Sequence, residues 1–271
     1  MPAPVIASRA NPRVKQLRAA FAGQARLSGG LIAIEGEHLL FEAKRSGLAF
    51  KTIFLSERTL APDWIPRSVE LITLSEEVFS SVVDTRAPQG IAALLVPPTW
   101  EIEPVFSSIL PHALAPLVLI AAGLQDPGNL GTLVRSAEAF AASAVLTTPG
   151  TVSAWNQKAI RASAGSVFRM PVMACTLVDL AGLRSRGLAL YAAAPPDSAI
   201  ADSQSFAGAD LARACALMVG NEGAGLSSEL LDLADARVSI AMPGPVESLN
   251  AAVAGSLLLY EASRQRAALR T

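Results

Sequence analysis

Two short apolar runs, residues 214–219 and 238–242, are each followed at once by polar sequence rich in glycine or proline, and this constrains the chain more than any other feature. Continuous apolar runs of this length, bounded by turn formers, read as strands buried on both faces, which belong to parallel sheets. In open sheets of that kind the ligand crevice lies outside the carboxyl ends of the strands. Gly220, Gly223 and Gly225 let the backbone turn sharply there and approach a ligand closely. After the second run, Pro243, Gly244 and Pro245 exclude regular structure, and residues 248–266 then carry apolar side chains at helical spacing. Glu247, Ser248 and Asn250 are thereby expected at a helix N-terminus beside the glycine turn.

The rest of the second half alternates in the same manner. Strands are expected at 117–122, 144–147 and 188–193, and helices at 129–141, 157–164 and 177–186. That alternation predicts an α/β domain whose parallel sheet is covered on both faces. The first half reads as a smaller α/β unit. Asn11 and Pro12 have the chemistry of an N-cap and a first helical position, opening a helix that runs to Gly23. Strands follow at 31–34, 51–55, 69–74 and 91–96, with helices at 37–46 and from Ser75 to Val83 and a turn at Pro88-Gln89-Gly90. Between the halves, Pro97, Pro98, Pro104, Pro111 and Pro116 interrupt every periodic pattern. The expected division is a domain over 1–97, a linker over 98–116 and a second domain over 117–271.

Composition excludes several classes. With 271 residues, 51% of them hydrophobic, the chain can fill the cores of two domains. A formal net charge of −1 offers no general attraction to a polyanion, so any nucleic-acid contact must come from local charge. One such region exists: the first 34 residues hold Arg9, Arg13, Lys15, Arg18 and Arg26 and no acid, which taken alone reads as a solvated helix face. Cys175 and Cys215 are isolated from each other and from His38 and His112, so buried free thiols, a reducing compartment and no metal site are expected. Pro111, His112 and Pro116 interrupt the most hydrophobic run, which argues against a membrane span, and residues 1–13 lack the apolar core of a secretory signal. The expected location is the cytoplasm.

Familiar catalytic schemes do not fit. There is no Gly-x-Ser-x-Gly elbow, no histidine after His112, and no lysine placed as in a phosphate-binding loop. The cluster from Gly220 to Gly225 does not match Gly-x-Gly-x-x-Gly. Asn129 and Arg135 lie six apart and are expected to project from roughly similar faces if their helix begins at Asn129. Arg135 interrupts an otherwise apolar helix; an intrahelical pair with Glu138 is the structural alternative. Capping and turn roles are the corresponding alternatives for Asn129, Glu222, Ser248 and Asn250.

Together these groups resemble the SpoU or TrmH family of RNA 2′-O-ribose methyltransferases. Asp126-Pro127-Gly128-Asn129-Leu130-Gly131 through Arg135 is similar to the family's first motif. Val219-Gly220-Asn221-Glu222-Gly223 with Gly225-Leu226 is similar to its second, and residues 240–243 with Ser248-Leu249-Asn250-Ala251 and Ala254 to its third. Asn11-Pro12 to Phe21, Ile34-Glu35-Gly36 and Pro88-Gln89-Gly90 resemble the family's amino-terminal RNA-binding domain, of the ribosomal-protein-L30e type. The resemblance implies a Rossmann-like catalytic domain with a deep carboxy-terminal trefoil knot, which sequence rules alone would disfavour. It implies S-adenosyl-L-methionine as methyl donor, seated on Val219, Gly220, Ile240, Met242 and Leu249. Asn129, Arg135, Glu222, Ser248 and Asn250 match the family's polar active-site positions, with the arginine as catalytic centre. It further implies RNA contacts by Arg9, Arg13, Lys15 and Arg18, a homodimer completed by the carboxy-terminal helix, and ribosomal RNA as substrate, a guanosine of 23S RNA in particular, with transfer RNA as the other RNA class. A non-catalytic RNA-binding protein of the same fold, acting in ribosome assembly, is the alternative.

Overall fold

The computed structural model describes residues 4–24, 29–85, 87–103, 115–194 and 203–269. The chain forms two units: Met1–Thr99 with Trp155–Arg169, and Trp100–Ala154 with Met170–Thr271. Residues 104–114, most of the expected linker, lie outside the described residues, as does Arg26.

In the first unit Asn11 caps helix α1 (Pro12–Phe21) as its sequence predicts. Its side-chain oxygen accepts the Arg13 N–H at 2.9 Å, and Pro12 occupies the first turn, where a missing N–H costs nothing. Strand β1 (Ile32–Glu35), helix α2 (Glu37–Arg45), strands β2 (Phe50–Ser56) and β3 (Glu70–Leu74), helix α3 (Glu76–Ser80) and strand β4 (Ile91–Leu95) follow. The sheet order is β1-β4-β2-β3, with β4 antiparallel to both neighbours and β2 parallel to β3. Val14 and Leu17 of α1 and Val78 and Phe79 of α3 close over Phe54, Leu74, Ala92 and Leu94 to form the core.

Trp155–Arg169 completes this unit, although the alternation of strands and helices places it in the second domain. Its short helix, Gln157–Ala162, is held by Gln157, whose Nε2 donates to the Ala33 carbonyl of β1 at 2.9 Å. Glu42 of α2 is a buried carboxylate, and Arg169 supplies its counter-charge at 2.6 Å while also donating to Ser46 Oγ at 3.1 Å. A buried charge without a partner is costly, and that cost binds the segment here.

The second unit contains strand β5 (Leu117–Ala121), helix α4 (Pro127–Ala139), strand β6 (Ala144–Thr147), strand β7 (Val172–Ala174), helix α6 (Leu177–Ser185), strands β8 (Ala189–Ala193), β9 (Ser203–Ser205) and β10 (Cys215–Val219), helix α7 (Ser228–Leu233), strand β11 (Ala236–Ser239) and helix α8 (Ala251–Ala268), α5 being the Gln157–Ala162 helix of the first unit. Its seven strands run in the order β7-β6-β5-β10-β8-β11-β9, every pair parallel. All residues of β5 and β10 are buried, as their unbroken apolar sequences require. Val118, Ile120, Ala216 and Met218 join Leu180 and Leu183 of α6 and Leu230 of α7 on one face. On the other face α8 lies so close that a Cβ at Gly255 would meet Leu133 of α4 at 2.5 Å and Val219 of β10 at 3.2 Å.

The α/β class and the parallel sheet are as expected; besides the placement of Trp155–Arg169, the differences are two short strands and the ends of elements. Strands β7 and β9 have three residues each, too short for a periodic signal. Helix α4 begins at Pro127 because Asp126 caps it, its side chain accepting the Gly128 N–H at 2.9 Å. Strand β11 stops at Ser239, so Ile240 and Met242 lie in the loop beyond it. No helix among the described residues is long and apolar enough to cross a membrane.

Candidate active site

Because the strands are parallel, the ends of β8, β10 and β11 share one edge of the sheet, and a cavity of about 370 Å³ opens there. That volume falls in the range of small-molecule clefts, about 300 to 1,000 Å³. Val219, Gly220, Glu222, Ile240, Met242, Ser248, Leu249 and Asn250 line it, so eight of the residues singled out in the sequence meet at one place. Asn221, Gly223, Gly225, Ala251 and Ala254, which belong to the quoted motifs, line it too; among the described residues Ala193, Ala194 and Val238 complete the wall and were not singled out. Small apolar residues carry no chemical signal; only the end of strand β8, where Ala193 and Ala194 sit, could have pointed to them.

Gly220 is required sterically. A Cβ there would lie 2.3 Å from the Gly225 carbonyl carbon and 2.5 Å from the Leu226 nitrogen, inside backbone that cannot yield. With glycine, the loop closes on itself: Asn221 N–H donates to the Gly225 carbonyl at 2.9 Å and Gly225 N–H returns the bond at 3.0 Å. Gly225 sits at φ +70°, where a side chain would be strained.

The three motif segments are joined by side chains. Asn129 Nδ2 donates to Glu222 Oε1 at 2.8 Å, and Asn129 Oδ1 accepts from Asn250 Nδ2 at 3.0 Å. Asn250 Oδ1 in turn accepts the Ala252 and Val253 N–H groups at 2.9 and 3.2 Å, capping α8. Capping and active-site placement are therefore one arrangement at Asn250. Asn129 itself does not line the cavity; it is buried behind it and links the other two. Desolvation pushes the Glu222 carboxyl up, but the hydrogen bonds it accepts from Asn129 and from the backbone N–H groups of Glu222, Gln125 and Asp126 outweigh this and hold it below its ordinary value. The carboxylate is ionised at neutral pH.

Arg135 requires a correction. Six positions at 100° per residue leave it about 120° around α4 from Asn129, so the two do not share a face. Asn129 is buried toward α8, whereas Arg135 is exposed and does not line the cavity. Nor is the pair with Glu138 formed: Arg135 has no hydrogen bond or ion pair among the described residues. Its neighbour Ser136 does face α8, with its hydroxyl 2.7 Å from that of Ser256.

In the first unit, Arg9 and Arg13 are engaged with Glu77 and Glu70, each at 2.9 Å. Lys15 and Arg18 lie three apart on one exposed face of α1, and neither has a charged partner among the described residues. They border an open depression of about 980 Å³ lined, among the described residues, by α1 and its flanking turns, which offers a basic surface rather than an enclosure. Cys175 and Cys215 are buried, and burial pushes their thiols up to about 12 and about 11, so neither is a nucleophile at neutral pH. Among the described residues no group of three or more His, Cys, Asp or Glu could hold a metal ion.

Comparison with known proteins agrees with this geometry. Residues 116–260 match the SpoU rRNA Methylase family and residues 11–93 the MRM3-like substrate binding domain. The chain is 35% identical to the 23S rRNA (guanosine(2553)-2′-O)-methyltransferase RlmP of Bacillus subtilis (strain 168), over 94% of this chain and 97% of that protein. It is 31% identical to the mitochondrial rRNA methyltransferase 3 of Homo sapiens, over 87% of this chain and 68% of that protein. The AdoMet-bound rRNA methyltransferase from Sinorhizobium meliloti superposes with a TM-score of 0.81 at 28% identity, covering 97% of this chain and 98% of that one. The SpoU methyltransferase AviRb from Streptomyces viridochromogenes, in complex with AdoMet, does so with a TM-score of 0.81 at 25% identity, covering 95% and 98%.

Asn129→Ala removes the bridging amide and is expected to cost about 1–2 kcal/mol in urea unfolding at neutral pH. Glu222 has a lowered folded pKa, so its charge contributes stability above the ordinary carboxylate value and loses it as pH falls through the folded one. The gap between wild type and variant is therefore expected to narrow on acidification, by under about 1 kcal/mol because Glu222 is exposed. A gap that stays constant with pH would show that the charge takes no part.

Proposed function

The chain belongs to the SpoU rRNA methylase family and transfers a methyl group from S-adenosyl-L-methionine to a ribose 2′-hydroxyl of ribosomal RNA, and we propose that it does so at the 370 Å³ cavity. The observation that carries this reading is the hydrogen-bonded chain from Glu222 through Asn129 to Asn250, which gathers the three motif segments at the mouth of that cavity.

The residues present fit the cofactor. Gly220 lets the loop at the cavity wall close on itself, while Val238, Ile240, Met242 and Leu249 provide apolar walls and Ser248, Asn250 and Glu222 a polar end. When bound, S-adenosyl-L-methionine supplies a methyl group already activated by its sulfonium charge. The protein's share is then mainly to position the ribose hydroxyl and to stabilise the charge that develops on it. Arg135 takes the second role. Its guanidinium is free to grip the phosphate beside the target ribose and to stabilise the developing alkoxide; being protonated throughout, it is a poor base. Glu222 and Ser248 shape the pocket, and Asn129 and Asn250 orient the ends of α4 and α8.

The same proposal makes the protein a homodimer. Val253, Leu257 and Tyr260 form an exposed apolar stripe along α8, spaced as one helix face, and Tyr260 meets Phe140, just beyond α4, edge to face at 5.8 Å. That stripe adjoins the helix carrying Arg135, which supports an active site completed at the subunit junction. Threading of the segment after Met242 through an earlier loop, the trefoil knot, belongs to the proposal too, as do a cytoplasmic location and a guanosine of 23S RNA as target.

Three measurements test these roles. Arg135→Ala and Arg135→Lys are each expected to lower kcat by about 10²- to 10³-fold with cofactor affinity little changed; undiminished methyl transfer in both would remove Arg135 from the mechanism. The double variant Lys15→Ala, Arg18→Ala is expected to weaken RNA binding and flatten its salt dependence by about one to two counterions, whereas Arg9→Ala and Arg13→Ala change it less because those guanidiniums already have carboxylate partners. Equal effects at all four positions would overturn that division. Leu257→Glu with Tyr260→Glu should convert a dimer to monomers by light scattering, and a wild type that is already monomeric at micromolar concentration would rule the dimer out.

A further inference from the structure

Asn221 stands between two residues with evident roles, Gly220 and Glu222, and its side-chain amide is engaged at both ends. Its Oδ1 accepts the N–H groups of Gly223 at 2.9 Å and Ala224 at 3.0 Å, which fixes the cavity-lining loop from inside. Its Nδ2 points the other way and donates to the Gly123 carbonyl at 2.9 Å. Only one orientation of the amide satisfies both contacts, since the reverse would set the NH2 group against two N–H donors and the oxygen against a carbonyl.

Gly123 is the turn between β5 and α4. It has φ +65° and is gripped from its other side by Thr151, whose hydroxyl accepts the Gly123 N–H at 2.9 Å and donates to the Ala121 carbonyl at 3.0 Å. The next residue is held as well, by the Val152 N–H donating to the Leu124 carbonyl at 2.8 Å. Two residues further on, Asp126 caps α4 and so sets where Asn129 and Arg135 stand. Neither Gly123 nor Thr151 lines the cavity. The acceptor end of Asn221 thus shapes the cofactor seat, and its donor end fixes the start of the helix that carries the reacting-centre arginine.

We propose that Asn221, with Thr151 opposite it, is a positioning residue: the two clamp the Gly123 turn and so hold α4 in register with the cofactor loop. This rests on the reading of the cavity as the cofactor seat. The clamp ties residues 122–126 to the loop 220–225 at the Gly123 turn, in addition to the hydrogen bonds that Glu222 accepts from Asn129 and from the backbone of Gln125 and Asp126. Glu222 holds the first turn of α4, and the clamp holds the chain that leads into it. A displacement of the order of 1 Å at a reacting group can cost about a hundredfold in rate.

The two ends of Asn221 are separable by substitution. Asn221→Asp keeps the oxygen that accepts from Gly223 and Ala224 but places a second oxygen against the Gly123 carbonyl, and Thr151→Val releases the same turn without touching the cavity. Both variants are expected to speed amide hydrogen exchange over residues 123–126 by about tenfold or more. For Thr151→Val, whose side chain does not line the cavity, S-adenosyl-L-methionine affinity by calorimetry should stay within about threefold of wild type while kcat at saturating RNA falls about ten- to a hundredfold. The double variant is expected to lose less than the product of the single losses, because both act on one turn, and Thr151→Ser, which retains the hydroxyl, should restore wild-type exchange and kcat. Unchanged exchange over 123–126 in both single variants would overturn the clamp, and that measurement needs no RNA, so it is distinct from a failure of the methyltransferase reading. Loss of kcat matched by an equal loss of cofactor affinity would also overturn it, leaving Asn221 and Thr151 as merely structural.

Discussion

The amide of Asn129 is the point on which the catalytic unit turns. It donates a hydrogen bond to Glu222 and accepts one from Asn250, and those partners belong to segments about ninety and one hundred and twenty residues further along the chain. An amide suits this place because it donates at one end and accepts at the other. A carboxylate here would repel Glu222, and a lysine would have nothing with which to receive Asn250. Because Asn129 is buried, losing either partner would leave one end of its amide unsatisfied.

From that junction the sparse chemistry of the site becomes intelligible. Among the polar residues at the cavity, Glu222 is held ionised by its hydrogen bonds and Asn250 is committed to the end of α8. Nothing there is poised to exchange a proton near neutral pH in the manner of a histidine. A reaction whose electrophile arrives activated needs placement above all, and placement is what this network of amides, glycine turns and helix caps supplies. For charge stabilisation we propose Arg135, whose guanidinium is exposed and has no ion pair among the described residues.

The first unit follows a comparable economy. Of the four basic residues on and before α1, two are bound to carboxylates and two are exposed without a charged partner, so the basic surface is smaller than its composition suggests. A buried glutamate, Glu42, recruits Arg169 from far along the chain, and with it a helix that interrupts the sequence of the catalytic half. Charge pairing, rather than chain order, decides where that helix belongs.

Much of this was determined by sequence alone. Unbroken apolar strands followed by glycine and proline dictated a parallel sheet with its ligand edge at the strand ends, because residues buried on both faces admit no polar alternation. The same residues supplied Gly220, Glu222, Ser248 and Asn250 as neighbours of one pocket. Tertiary structure decided what local pattern cannot carry. Which face of α4 is buried was set by the packing of α8, which leaves Asn129 inside and Arg135, about 120° around the helix, exposed. The alanines of β8 entered the pocket wall through strand order. Trp155–Arg169 joined the first unit through a buried ion pair whose partners are more than a hundred residues apart. Periodicity reports which side of an element is buried; it holds no record of what that side is buried against.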